Sequence, residues 1–340
     1  MAESKEGTSR RDFLKRCTGT AFALALAPAA AAADVASPAA RAPVAGNSKV
    51  VIARDALLRG HGSAVDDSRM LGLLDRAVQS YFDADRPVDG WKRLLRPGER
   101  VGLKVNTIAG RRLSTNVVLV EAICERLQAA GIRAQDIVIW DHESDELTRA
   151  GFHLSSGANR VRCAGTDAAG YEQSAEAFGL VRSRLSKILT RDCDVLINVP
   201  VLKCHGMCGV TAALKNMYGA IDNPYSYHAH GCSPYIADLN MLSGIRTKLR
   251  LNICDATTAS FASGAAFDPE SAWNHNAIIM ARDPVALDYT AWRIIEGKRA
   301  EMGLETLAAA NKSPQFIGVA ADAGHRLGTN DPNRITVVEV

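Results

Sequence analysis

The sequence predicts an α/β fold: a doubly wound, mainly parallel sheet with helices on both faces, in one unit or in two α/β lobes. Two observations carry that expectation. Apolar runs of strand length alternate with helix-length amphipathic segments, and polar residues recur just past the ends of the apolar runs. The runs at 49–53, 100–105, 136–140, 161–164, 195–199, 249–253, 277–280, 316–319 and 335–340 read as strands. Segments 66–82, 116–130, 180–189, 234–248 and 284–297 repeat apolar residues at helical spacing. In open sheets of this kind, ligands bind outside the carboxyl ends of the strands, so the polar exits are the first candidates for function.

Ahead of the first strand, Ser9-Arg10-Arg11-Asp12-Phe13-Leu14-Lys15 precedes an alanine-rich run from Thr18 to Ala33. This reads as a twin-arginine signal peptide over residues 1–33, with Ala31, Ala32 and Ala33 as the small-residue cleavage site. Gly19, Thr20 and Pro28 interrupt the run, which is shorter than the roughly 20 apolar residues of a spanning helix. The expectation is a periplasmic protein that meets the twin-arginine translocase during export and keeps no permanent membrane anchor. Residues 34–48, rich in Ala, Pro and Ser, read as a linker, and 49–340 as the folded α/β domain.

The formal charge is +3, and residues 1–33 hold five Lys/Arg against three Asp/Glu, which leaves the rest near +1. Without a basic stripe, nucleic acid is not an expected partner. Eight cysteines less Cys17 leave seven, an odd number, so in an oxidising compartment at least one is free, buried or bound. Neither Gly-rich nucleotide fingerprint follows an early strand, and no Gly-x-Ser-x-Gly elbow is present, which disfavours dinucleotide, P-loop and serine-hydrolase chemistry.

The strand exits carry Lys104 and Asn106, then Ser114-Thr115-Asn116 at the start of a helix, Asp141 and His142, Asn198 and Lys203, Asp255, and Arg282-Asp283. The free amides of the helix after Asn116 offer an anion position. Between them lies "VLKCHGMCGVTAALKNMYGAI", residues 201–221, read as a loop from a strand ending near Pro200 into a helix over 210–220. Thr211 and Lys215 share a face of that helix, and Lys203, His205 and Lys215 can converge on an anionic group. Cys204 and Cys208, with His228 and Cys232 of the downstream "YHAHGC", admit three readings: a soft-ligand metal site, a Cys204–Cys208 disulfide, or unbridged thiols. A Cys-x3-Cys spacing matches no ferredoxin run, so a metal ion is a more fitting cofactor than an iron-sulfur cluster.

Four stretches together resemble the family described as domain of unknown function (DUF362): "VGLKVNTIAG", "VLVEAICERLQAAGIRAQDIVIWD", "INVPVLKCHGMCGVTAALKNMYGAI" and "RDPVALDYTAW". The family signature falls on Leu202, Lys203, His205, Gly209, Val210, Thr211, Leu214, Lys215 and Asn216, with Cys204 and Cys208 at its variable positions. Many members carry a cysteine-rich ferredoxin-like segment, and this chain lacks one. His205 and Lys215, ten residues apart, are also similar to the segment of lactate-racemase-type proteins that holds a nickel-pincer nucleotide. That similarity implies a lysine securing an anionic or covalently held cofactor and a histidine acting as base or ligand.

The expected activity is that of an exported metal- or cofactor-dependent enzyme, redox or isomerising, acting on a small anionic molecule. His205, Lys215 and Lys203 are its catalytic candidates, and Lys104, Asn106, Asp141, Asn198, Thr211, Asn216 and Asp255 its ligand-binding ones. His228, Cys232, Cys204 and Cys208 are the candidate metal ligands. The alternative is a noncatalytic metal- or ligand-binding protein, or an accessory to an exported redox enzyme.

Overall fold

A computed structural model describes residues 46–60, 62–264 and 266–340. The signal peptide expected over 1–33 and most of the expected linker lie outside the described residues. The strands are β1 (Ser48–Arg54), β2 (Val101–Lys104), β3 (Ile137–Asp141), β4 (Arg162–Gly165), β5 (Glu176–Phe178), β6 (Val181–Ser183), β7 (Val195–Asn198), β8 (Val201–His205), β9 (Gly209–Thr211), β10 (Leu249–Ser260), β11 (Ala272–Trp273), β12 (Ala277–Ala281) and β13 (Ile335–Glu339).

Eleven of these form one sheet whose main path runs β13-β1-β12-β10-β7-β2-β3-β4, while β5 and β6 make a separate hairpin. The pairs β1·β13, β10·β7, β7·β2, β2·β3 and β3·β4 are parallel, whereas β12 runs antiparallel to both its neighbours. The sheet is therefore mainly parallel, as expected, and one main sheet, beside the small β5–β6 hairpin, organises the described residues.

Alternation along the strands explains the near-continuous apolar runs. Val51 and Ala53 pack on one face with Met70, Leu73, Leu74, Trp91, Leu119 and Ile123 of the helices Asp67–Phe82, Pro87–Leu94 and Val117–Ala129. Val50 and Ile52 pack on the other with Ala286, Leu287, Ala291 and Ile295 of the helix Pro284–Glu301. A strand covered on both sides has no polar face to show in its sequence. The helix starts follow capping chemistry: Asp66, Asn116 and Asp283 each accept a backbone N–H of the first turn, and Pro284 fills the first helical position.

Several elements differ from expectation. Residues 316–319 belong to a helix, Phe316–Ala321, because four apolar residues fit a short buried helix as well as a strand. Residues 180–189 form β6 and part of a π-helical turn at Ile188–Asp192. The segment 234–248 splits into helices Tyr235–Asn240 and Ser243–Arg246, and the helix Pro87–Leu94 is additional. The main correction concerns 201–211, which is a β-hairpin rather than a loop entering a helix. Gly209 makes it possible, with φ +77 and a backbone so close to Lys312 that a Cβ would lie 2.1 Å from the Lys312 carbonyl oxygen.

Candidate functional site

Pro200 interrupts the strand that begins at Val195. The first half, β7, pairs with β2 and β10; the second, β8, continues past the end of β2 and pairs only with the far half of β10 and with β9. Proline has no N–H for a ladder, so the break is built into the sequence. Its consequence is that Lys203 and His205, on the same side of β8, overhang the carboxyl ends of β2 and β3, where Lys104 and Asp141 sit.

Lys104 and Asp141 form a buried ion pair with Nζ to Oδ1 at 2.6 Å, and the side chains are 1% and 6% exposed. The pair is fully served. Lys104 also donates to the Val105 carbonyl at 2.8 Å, while Asp141 accepts from the N–H and hydroxyl of Thr107 at 2.8 and 2.7 Å and from the His142 N–H at 2.8 Å. Gly219 permits this packing, since a Cβ there would lie 2.6 Å from Asp141 Oδ1 and 2.7 Å from Lys104 Nζ. Asn216 extends the network: its Nδ2 donates to Asn198 Oδ1 at 2.7 Å and its Oδ1 accepts from Asn106 Nδ2 at 2.9 Å. Asn198 in turn donates to the Ala213 carbonyl and to Asn252 Oδ1, both at 2.9 Å.

The other side of the site has no such closure. Lys203 is 1% exposed, and its ammonium donates to the neutral Asn106 Oδ1 at 2.7 Å. Burial pushes its pKa down to about 8, against the pull of Asp141 and with the repulsion of Lys215 and Lys104. Lys215 lies 3.4 Å from the centre of the Tyr218 ring, and its Nζ is 3.1 Å from His228 Nε2. Burial lowers its pKa as well. Among the described residues no carboxylate stands within ion-pair distance of either lysine. Glu146, half-buried, acts on Lys203 from farther off, and burial followed by the Asp141 charge raises its own pKa.

His205 Nδ1 accepts the backbone N–H groups of Met207 and Cys208 at 3.2 and 3.3 Å, which places its hydrogen on Nε2. Burial, with Lys215, His228 and Lys203 nearby, holds its pKa down to about 3. The ring is thus neutral, with Nε2–H as a hydrogen-bond donor. His228 stacks between His205 and Tyr225, with centroids at 6.0 and 6.2 Å. Its Nε2 takes the Lys215 hydrogen, so Nδ1 carries its own and faces the backbone of Tyr225 and Pro224. The Thr211 hydroxyl, across from Lys203 in the hairpin register, is buried and unpartnered.

The remaining candidates fall elsewhere. Asp255 accepts the Asn116 N–H at 2.6 Å and the Thr257 N–H at 2.8 Å, so a carboxylate of the chain itself fills the anion position expected at that helix start. Asp283 is a cap, and Asp288, five residues on, accepts the Ala213 and Leu214 N–H groups at 2.6 and 3.1 Å, fixing the helix Ala213–Asn216. The four candidate metal ligands do not assemble. Cys204 alternates away from Lys203 and His205 into the core beneath the helix Pro284–Glu301, whereas Cys208 and Cys232 lie in the core on the Tyr218 side. Cys204 and Cys208 are both free, and among the described residues no three His, Cys, Asp or Glu side chains converge as a metal needs. Sequence reasoning missed Thr107, Glu146, Gly219 and Asp288. Only Asp288 had a signal, as the second aspartate of "RDPVALD".

Comparison with known proteins adds three findings. A thylakoid-associated protein of Synechocystis sp. is 27% identical over 141 residues, 40% of this chain, and the chain spans 43% of that protein's length. A crystal structure of a protein from Thermotoga maritima superposes with a TM-score of 0.43 at 10% identity, over 72% of this chain and 60% of that one. The model of one family, domain of unknown function (DUF362), matches residues 101–293, which include β2 through most of the helix Pro284–Glu301 and every site residue described above. More than half of the chain lies within that match, and the chain belongs to the DUF362 family.

Proposed function

We propose that the protein is an exported enzyme that binds a small anionic molecule at Lys203, Lys215 and His205 and moves a proton on it. One observation carries the reading: Lys203 is buried with an amide oxygen as its hydrogen-bond partner and with two further lysines around it. A buried cation without an anion is costly, and a ligand carboxylate or phosphate between Lys203 and Lys215 removes that cost. The unpartnered Thr211 hydroxyl is a further donor for the same ligand.

The chemistry follows from the protonation states. With its pKa near 8, Lys203 exchanges a proton close to neutral pH and is the base in its neutral form, the ligand's carboxylate then being held by the Lys215 ammonium. His205, through Nε2–H, and the Lys215 ammonium stabilise negative charge that develops on a carbonyl or carboxylate oxygen as the proton leaves the adjacent carbon. This is isomerising chemistry on a small carboxylate. Export by the twin-arginine translocase into the periplasm belongs to the same proposal and is supported by the Arg10-Arg11 segment.

The test is calorimetric titration of the mature protein with sulfate and with small hydroxy and keto acids, paired with deuterium incorporation at the carbon beside the carboxylate in heavy water. Binding that is lost in Lys203→Met and Lys215→Met, with wild-type deuterium exchange, supports the enzyme. Binding without exchange favours a noncatalytic ligand carrier. Titration curves unchanged in both variants remove the site.

A further inference from the structure

The anion site leaves two neighbouring nucleophiles unused, Cys208 and Cys232. Cys208 closes the turn between β8 and β9. Cys232 ends a turn in which His230, Gly231 and Cys232 are all left-handed, with φ of 52, 64 and 62. That turn lies against the hairpin: a Cβ at Gly231 would be 3.4 Å from the Met207 carbonyl oxygen. Both cysteine side chains are buried in the same apolar cluster; the Cys208 thiol donates to the Val210 carbonyl at 3.5 Å and the Cys232 thiol to the His228 carbonyl at 3.9 Å, with the two sulfurs near enough to interact electrostatically. Lys215 and Tyr218 interact electrostatically with both sulfurs.

We propose that Cys208 and Cys232 form a reversible disulfide, and that closing it strips Lys215 of its neighbouring sulfur charge and tightens anion binding there. The second half rests on the anion reading above; the disulfide itself does not. The oxidant is a low-molecular-weight disulfide. The Cys232 thiolate attacks one of its sulfurs, a mixed disulfide forms and one small thiolate leaves. Cys208 gives up its proton and attacks the Cys232 sulfur, releasing the second small thiolate. Two electrons pass from the cysteine pair to the reagent, and the two cysteine protons end on the two released thiols.

Cys232 is the attacking sulfur. The neighbouring Cys208 side chain lowers its pKa to about 7, against burial and with help from the Lys215 charge and Tyr218. Access requires the turn to open: the Cys232 side chain is fully buried, and His230 and Cys232 are non-glycine residues held at positive φ on either side of Gly231. In the reduced protein a negatively charged Cys232 partly neutralises Lys215. The disulfide carries no charge, so Lys215 turns to an external anion.

The mature protein is equilibrated with excess oxidised glutathione, its remaining thiols are alkylated, and disulfide-linked peptides are mapped by mass spectrometry. The same samples are titrated with sodium sulfate. The expected result is a Cys208–Cys232 link that dithiothreitol reverses, absent from C208S and from C232S, with sulfate affinity higher by about tenfold in the oxidised form. A pair that stays reduced in excess oxidant, or a link through Cys124 and Cys163 instead, overturns the disulfide. Equal sulfate affinity in both forms overturns the coupling. If neither form binds sulfate, the anion reading falls and the coupling with it, while the mapped link still decides the disulfide.

Discussion

Lys104 and Lys203 stand at the ends of adjacent strand segments, each about 1% exposed, yet their surroundings are opposites. Lys104 has a carboxylate at 2.6 Å, and that carboxylate is saturated by Thr107 and His142. Lys203 has only an amide oxygen at hydrogen-bond distance, with the charges of Asp141, Lys215, Glu146 and Lys104 acting on it from farther off. A protein that needed only a stable fold would not bury the second lysine. The contrast separates a structural half of the site, which holds β2 and β3 in register with the helix Ala213–Asn216, from a half whose charge is left for something else to balance.

The largest expected effect lies in the structural half. Lys104→Met leaves Asp141 buried without its cation and should lower stability by about 3–5 kcal/mol, read as a drop in the urea midpoint. Lys203→Met should do the reverse, raising the stability of the ligand-free protein by about 2–3 kcal/mol at pH 7 while sulfate binding is lost. Variants that shift the midpoint in the same direction would erase the distinction between the halves.

The pH dependence gives the same contrast a sign. Lys203 has its folded pKa near 8, below the ordinary lysine value of 10.5, so between those two values the unfolded chain holds a proton that the folded protein has released. Stability therefore rises with pH across that window, by up to ~1.4 kcal/mol per unit from this group. Its penalty is fully present below pH 8. Lys203→Met should remove that slope, measured as the wild-type minus variant difference in unfolding free energy between pH 7.5 and 10, a window set by the same about-8 value. A difference that stays flat would mean Lys203 is already neutralised within the fold.

Much of the scaffold was legible in the sequence. The apolar runs marked most strands because a doubly covered sheet leaves long stretches of Val, Ile and Leu, and the polar exits named Lys104, Asp141, Asn198 and Lys203, which the fold gathers with Asn106 and Asn216. What the sequence did not show was which exits were already paired. Asp255 reads like Asp141 as a residue after a strand, but its partner is the Asn116 N–H, far away in sequence. The hairpin 201–211 was misread because Pro200 looks like a strand terminus, whereas here it only interrupts one side of the ladder. The cysteines misled for a related reason: Cys204 and Cys208 are close in sequence, yet alternation along β8 sends Cys204 to the opposite face, and Cys208 meets Cys232 instead.

The smallest change gives the sharpest test of whether Lys203 lacks an anion rather than simply providing a charge. Asn106→Asp is nearly isosteric and places a carboxylate oxygen where Asn106 Oδ1 now accepts from Lys203 at 2.7 Å. It forfeits the donor to Asn216 Oδ1 at 2.9 Å and sets a carboxylate oxygen against that buried acceptor, at a cost of about 1–3 kcal/mol that the new ion pair with Lys203 offsets, so the net stability change at pH 7 should be small. Every lysine remains, but Lys203 now has an internal counter-ion. Its pKa should return toward that of an ordinary lysine, the rise in stability above pH 8 should vanish as it does in Lys203→Met, and sulfate should no longer bind. If Asn106→Asp still binds sulfate as the wild type does, the anion is held by Lys215 without Lys203, and the functional half of the site shrinks to the Lys215, His228 and Tyr218 cluster.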